Sequence, residues 1–266
     1  MPYFKRYCRL IFEQTGDLSL LDTATTFYKG MPSWVPDLVF GSGVHRGHEP
    51  PVRASVSFSD DGSKMTLTGT LLSKVVLGFS PIRRKSFEMR ERFGEILIED
   101  VERFAVQFLS NAAELFSEID SEKALDQWLD ALAKAIFDAE ELSDFREYVL
   151  SLLDKDDREI PDASFRSLSL TAMDNRPLAL FTLIDQYACF FTEDDACHSM
   201  RRNKVDPIAG DLLAVLKGLY ATCLLRPLDK DQEYEFLACC RSPSLADVEA
   251  NEAFFQVRDV VSITLV

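Results

Sequence analysis

Asp211-Leu212-Leu213-Ala214-Val215-Leu216, then Thr222-Cys223-Leu224-Leu225-Arg226, then Tyr234-Glu235-Phe236-Leu237-Ala238-Cys239-Cys240, follow one another across the last third of the chain, with Gly218 at the first break. Short apolar runs rich in Leu, Val, Cys and aromatic residues, broken by turn residues, read as strands. Runs in close succession read as a meander. A last strand is expected over Val260 to Val266. Upstream, Ala188-Cys189-Phe190-Phe191-Thr192 reads as another strand, with Glu193-Asp194-Asp195 as a charged hairpin turn. From Pro177 to Tyr187 the chain is so uniformly apolar that periodicity does not separate helix from strand.

The other end of the chain carries a second β region. Ala54 to Phe58 and Lys64-Met65-Thr66-Leu67-Thr68-Gly69 flank Asp60-Asp61-Gly62, the pattern of a β-hairpin with an Asp-Gly turn. Lys74 to Phe79 reads as a further, separate strand. Ahead of the hairpin, Tyr3, Phe4, Tyr7, Leu10 and Ile11 recur at helical spacing until Thr15-Gly16-Asp17 ends the pattern. Between the two β regions the period is helical. Val101, Phe104, Ala105, Phe108 and Leu109 share one face, as do Leu125, Trp128, Leu129, Leu132 and Ile136, and Leu142, Phe145, Val149, Leu152 and Leu153. Asp120-Ser121 supplies a cap for the second of these helices. The fold expected is α+β: short antiparallel strands from an N-terminal hairpin and a C-terminal meander, with a central amphipathic helical subdomain. The chain divides into three segments, 1–80, 81–160 and 161–266, the first and last expected to form one compact unit.

Composition narrows the function classes. The chain has 266 residues, of which 47% are hydrophobic and 27% charged, enough for a sizeable core. Its 44 acidic and 29 basic residues leave a formal charge of -15, which repels phosphate backbones and anionic headgroups and so argues against nucleic acid and membrane partners. No apolar run approaches the roughly 20 residues of a membrane span, and the first residues lack the form of a secretory signal. Six cysteines without a disulfide-scaffold spacing point to a reducing, cytoplasmic setting.

One further segment is rigid by composition. Met31-Pro32-Ser33-Trp34-Val35-Pro36-Asp37 holds two prolines that push Met31 and Val35 toward extended backbone. It reads as a non-helical strap in which Trp34 buries its ring and Asp37 caps or turns the next element. The Pro-Ser-Trp-Val-Pro-Asp string resembles a signature found downstream of the heterokaryon incompatibility (HET) domain of fungal proteins. Thr15-Gly16-Asp17, Leu20-Leu21 and Leu67-Thr68-Gly69 are similar to the same region. So, in order, are Phe190-Phe191-Thr192, Pro207, Gly210-Asp211, Gly218, Leu225-Arg226-Pro227 and Tyr234 to Leu237. The helical middle is outside the resemblance. After Tyr234 the chain also departs from it: Cys239-Cys240-Arg241-Ser242-Pro243 stands where such proteins carry a glycine-containing Tyr-Val stretch.

The resemblance implies a non-catalytic regulatory or recognition region concerned with allorecognition and programmed cell death, its partner a HET domain or another protein. It places the HET domain itself outside this chain. Trp34, Asp37, Gly210, Asp211 and Arg226 are the binding candidates, each with a structural reading beside it. Arg226 either pairs with Asp211 or meets a carboxylate on the partner. No cofactor is implied.

Two alternatives stay open. One is a small intracellular enzyme, a hydrolase or nucleotide-processing activity, with a pocket joining His45, His48 and His198 to the Glu193–Asp195 carboxylates. The other is a degenerate family fragment. His45, His48, Cys197 and His198 are also weak metal-ligand candidates, set against a reading as solvated loop histidines and inert thiols. Gly41-Ser42-Gly43 lacks the context of a phosphate loop, and Arg83-Arg84-Lys85 reads as the start of a solvated helix.

Overall fold

A computed structural model describes residues 2–16, 18, 21, 31–35, 53–79, 98–116, 119–133, 139–154, 180, 183–184, 186–201, 205–219, 221–241 and 252–266. The architecture is α+β, with eight strands in one sheet: β1 (Ser57–Phe58), β2 (Met65–Phe79), β3 (Tyr187–Thr192), β4 (Cys197–Arg201), β5 (Leu212–Leu216), β6 (Thr222–Pro227), β7 (Glu233–Arg241) and β8 (Val261–Leu265). The described helices are α1 (Pro2–Thr15), α2 (Ile98–Leu115), α3 (Ser121–Ala133), α4 (Ala139–Leu153) and α5 (Glu252–Gln256).

The hairpin, the meander and the last strand form where expected. Ser57 and Phe58 pair with Thr66 and Met65 across a turn in which Gly62 has φ 62°. Asp61 holds that turn: its carboxylate accepts from the Ser63 N–H and from the hydroxyls of Ser59 and Ser63. In the meander, β5 pairs β6 and β6 pairs β7, all antiparallel.

Two expectations need correction, and one open reading is resolved. Met65 to Phe79 is one strand of 15 residues, neither short nor interrupted. Bulges after Leu71 and Val75 let it bend and change neighbours, and they also break the alternation that would have joined its halves in the sequence. Cys197–Arg201, read as loop, is strand β4, paired with β3 across the Glu193–Asp195 turn. Among the described residues of the ambiguous stretch, Leu180, Leu183, Ile184 and Gln186 are helical.

The pairings close on themselves. β2 pairs β3, then β4, β7, β6 and β5 succeed one another, and β5 returns to β2, a circuit of antiparallel strands. β8 makes a second closure, antiparallel to Met65–Gly69 of β2 and parallel to Glu233–Tyr234 of β7. The wall formed by β5 and β6 is common to both and buries both faces. Leu213 and Leu224 join Val75, Phe190, Met200 and Leu237 on one face. Ala214, Leu216, Cys223 and Leu225 join Met65, Phe236, Ile263 and Leu265 on the other. A strand buried on two faces reads as a continuous apolar run, which is why the meander stood out in the sequence.

Helices complete the two layers. α1 presents Cys8 and Phe12 to the second of these cores and ends at Gly16, whose φ of 63° and N–H bonded to the Phe12 carbonyl at 3.0 Å close the last turn. α2 and α3 pack against the outward residues of β3 and β4, and α4 packs on those two helices and joins the same core. Phe108 and Phe116 lie 5.5 and 5.8 Å from the Phe191 ring, and the Trp128 indole N–H donates to Cys189 Sγ at 3.2 Å. Asp120 caps α3 through its carboxylate, which accepts from the Lys123 N–H at 2.7 Å. No described helix is long and apolar enough to cross a membrane.

Candidate functional site

The segment that carries the resemblance at the N-terminal end is a plug in the sheet. Pro32 to Val35 form a turn, closed by the Val35 N–H to the Pro32 carbonyl at 3.1 Å. Tertiary hydrogen bonds grip the residues between the prolines. The Ser33 N–H donates to the Val266 carbonyl and the Phe236 N–H donates to Ser33 Oγ, both at 2.9 Å. Trp34 is fully buried, edge-on to Phe12 and Phe58 at 6.3 and 5.1 Å, with its indole N–H toward the Ser63 carbonyl at 3.3 Å. The strap therefore ties α1, the hairpin, β7 and the end of the chain together. Asp37 and Pro36 lie outside the described residues.

At the other end, Arg226 and Asp211 form the ion pair that was one of two readings. The Arg226 Nε and terminal nitrogen donate to the two Asp211 oxygens at 2.8 and 2.9 Å, and the terminal nitrogen also reaches the Asp206 carbonyl at 2.9 Å. The Ile208 N–H donates to the same carboxylate at 2.9 Å. Donation to Asp211 outweighs the opposing effect of burial and raises the guanidinium pKa above its already high ordinary value. Asp211 is only 1% exposed, whereas Arg226 keeps 24% of its side chain in solvent. Gly210, with φ 101°, turns the chain so that its own N–H and the Asp211 carbonyl bond to Val75. The pair thus welds the loop before β5 onto β2 and β6.

His198 corrects an expectation: it is no solvated loop residue but a fully buried strand residue on β4. Its ring lies 5.4 Å from Phe190, its register partner. Nε2 is 2.9 Å from Thr192 Oγ1, while Nδ1 has no hydrogen-bond partner. Burial pulls the imidazole pKa down to about 4, against the opposing charge of Asp194. Cys197 cannot share a metal ion with it, because neighbours on a strand face opposite ways. Cys197 packs among the helices. Among the described residues no group of three or more His, Cys, Asp or Glu could hold a metal ion. His45 and His48 lie outside the described residues.

Sequence reasoning missed two participants, Thr192 and Ser73. They link His198 to the surface: Thr192 hydrogen-bonds both His198 and Asp194, and Ser73 Oγ donates to Asp194 Oδ1 at 2.7 Å. Burial opposes the Asp194 charge, but the hydrogen bonds from Thr192 and Ser73 outweigh it, so its pKa stays below the ordinary value. The chain opens on a surface groove of about 420 Å³ lined by Leu71, Leu72, Ser73, Lys74, Glu193, Asp194 and Leu212. A carboxylate this well stabilised is a weak base, and the buried imidazole reaches no solvent. A strand following the Glu193–Asp195 turn was the available signal, since a turn after one strand predicts a second. With this geometry in view, the chain was compared with known proteins: no family model, no curated protein and no solved structure matches it.

Proposed function

We propose that this protein is a non-catalytic recognition or regulatory region of the kind found downstream of the HET domain in fungal incompatibility proteins, engaging a HET domain or another protein partner. The observation that carries the reading is where the resembling residues sit. Trp34 and Ser33 plug the sheet, and Gly210, Asp211 and Arg226 clamp the loop ahead of β5. All of them serve to hold a surface, and none is poised for bond-making chemistry. The exposed flank of Arg226, beside exposed Ile208 and Leu228, is the part of that clamp a partner would meet.

The test is expression in a filamentous fungus, alone and together with a HET domain, scoring cell death and co-purification. Binding, with death altered on co-expression, supports the reading. Neither binding nor any change in death overturns it.

A second reading, a small-molecule site at the groove over Ser73, Lys74 and Asp194, is favoured by one observation: the hydrogen-bonded link from that groove to His198. Nucleotides, sugars and amino acids tested against the chain by thermal shift, with Asp194→Asn as the control, decide it. A shift that this substitution removes favours the groove, and no shift with any ligand removes the reading.

A further inference from the structure

The β6–β7 register sets Cys223 opposite Cys239. Residues directly opposite in an antiparallel pair share a face of the sheet. Packing agrees, since Cys223 is fully buried in the core beneath Trp34 and half-buried Cys239 packs against that same core. Cys240 turns to the opposite face, among Phe190 and Met200. Cα atoms of such opposed residues lie about 4.5–5.5 Å apart, within the roughly 4.4–6.8 Å that a disulfide spans. All six cysteines are thiols in this structure.

We propose that Cys223 and Cys239 form an oxidant-responsive pair, converted by a peroxide into a disulfide that staples β6 to β7. Cys239 is the entry point because it is the more exposed member. Its thiolate attacks one peroxide oxygen and the O–O bond breaks. This leaves a sulfenic acid on Cys239, and the departing hydroxide takes the thiol proton as water. The Cys223 sulfur then attacks the sulfenic sulfur. The S–O bond breaks and its oxygen leaves with the Cys223 proton as a second water. Two thiols are oxidised and one peroxide is reduced.

Burial raises the Cys223 thiol pKa far above its ordinary value, so the second step is the slow one and quickens with rising pH. The same effect protects the other core thiols: Cys8 is pushed up to about 11 and Cys189 to about 12, the latter against the Trp128 hydrogen bond to its sulfur.

The experiment uses the full chain, purified reduced and freed of reductant. It is exposed to hydrogen peroxide, alkylated, digested without reductant and read by mass spectrometry. The expected product is a peptide pair joining Cys223 to Cys239, cleaved by dithiothreitol, formed faster at pH 8.5 than at pH 7 (roughly 30-fold for a thiol well above both values). Cys239→Ser should abolish it and Cys240→Ser should leave it. Circular dichroism checks that each variant is folded. The proposal is overturned by a Cys239–Cys240 bridge, by a Cys239 link between two copies, by oxidation of Cys239 to sulfinic acid without cross-linking, or by no oxidation at all.

Discussion

His198 and Asp211 show how differently two buried polar residues are managed. His198 remains neutral in the folded chain down to about pH 4, while its unfolded imidazole binds a proton below about 6.5. Protons therefore favour the unfolded chain through that window, and stability falls as pH drops from 6.5 toward 4. Over pH 7 to 5 the loss from this residue should be about 2 kcal/mol. Urea unfolding of the native chain and His198→Gln at both pH values measures it, as the part of the loss that the variant lacks.

Asp211 is instead answered by Arg226. Removing the guanidinium strands a carboxylate that is 1% exposed, so Arg226→Ala should cost about 3 kcal/mol. Asp211→Asn should cost less, because Arg226 still reaches water. Equal losses, in the same unfolding assay, would show that the pair is not the reason for the burial of Asp211. The Asp211–Arg226 pair was readable in advance because two opposite charges flank a predicted hairpin. His198 was not, because nothing in Cys197-His198 distinguishes a strand from a loop until its partner strand is known.

Elements here are fixed where backbones approach one another. A Cβ at Gly78 would stand 2.1 Å from the Pro207 carbonyl oxygen, a backbone atom that cannot swing aside. At Gly210 a Cβ meets nothing within 4 Å, but φ is 101°. Gly78→Ala should therefore cost about 3 kcal/mol through the clash, and Gly210→Ala about 1–2 kcal/mol through backbone strain alone. Thermal unfolding that ranks them the other way would contradict the close approach of β2 to the loop before β5.

The strap is anchored by one ring. Trp34→Ala leaves a cavity between Phe12 and Phe58, with an expected loss of about 3–5 kcal/mol in denaturant unfolding. Trp34→Phe should recover most of it. The burial of Trp34 was legible in its proline-flanked string. The single long β2 was not, because its bulges shift the side-chain period midway.

Across the molecule the two tryptophans report on different layers. Trp34 sits in the core under α1, and Trp128 in the core between the helices and β3. Because β3 and β4 are hydrogen-bonded into the same circuit as β5, β6 and β7, the layers should unfold together. Single-tryptophan variants, Trp34→Phe and Trp128→Phe, should then share one denaturant midpoint by fluorescence. Two midpoints would mean that the helical layer melts by itself.

The class of the fold was settled by residue order alone. Apolar periods placed the hairpin and three amphipathic helices, since period depends only on which face of an element meets water, and unbroken apolar runs between turn residues placed the meander. How the strands join was settled only in three dimensions. The closure of β5 onto β2, the parallel seat of β8 beside β7, and the joining of β4 to β7 all rest on hydrogen bonds between residues far apart in the chain. Such pairings leave no local trace, because a backbone amide bonds any carbonyl that packing brings within reach.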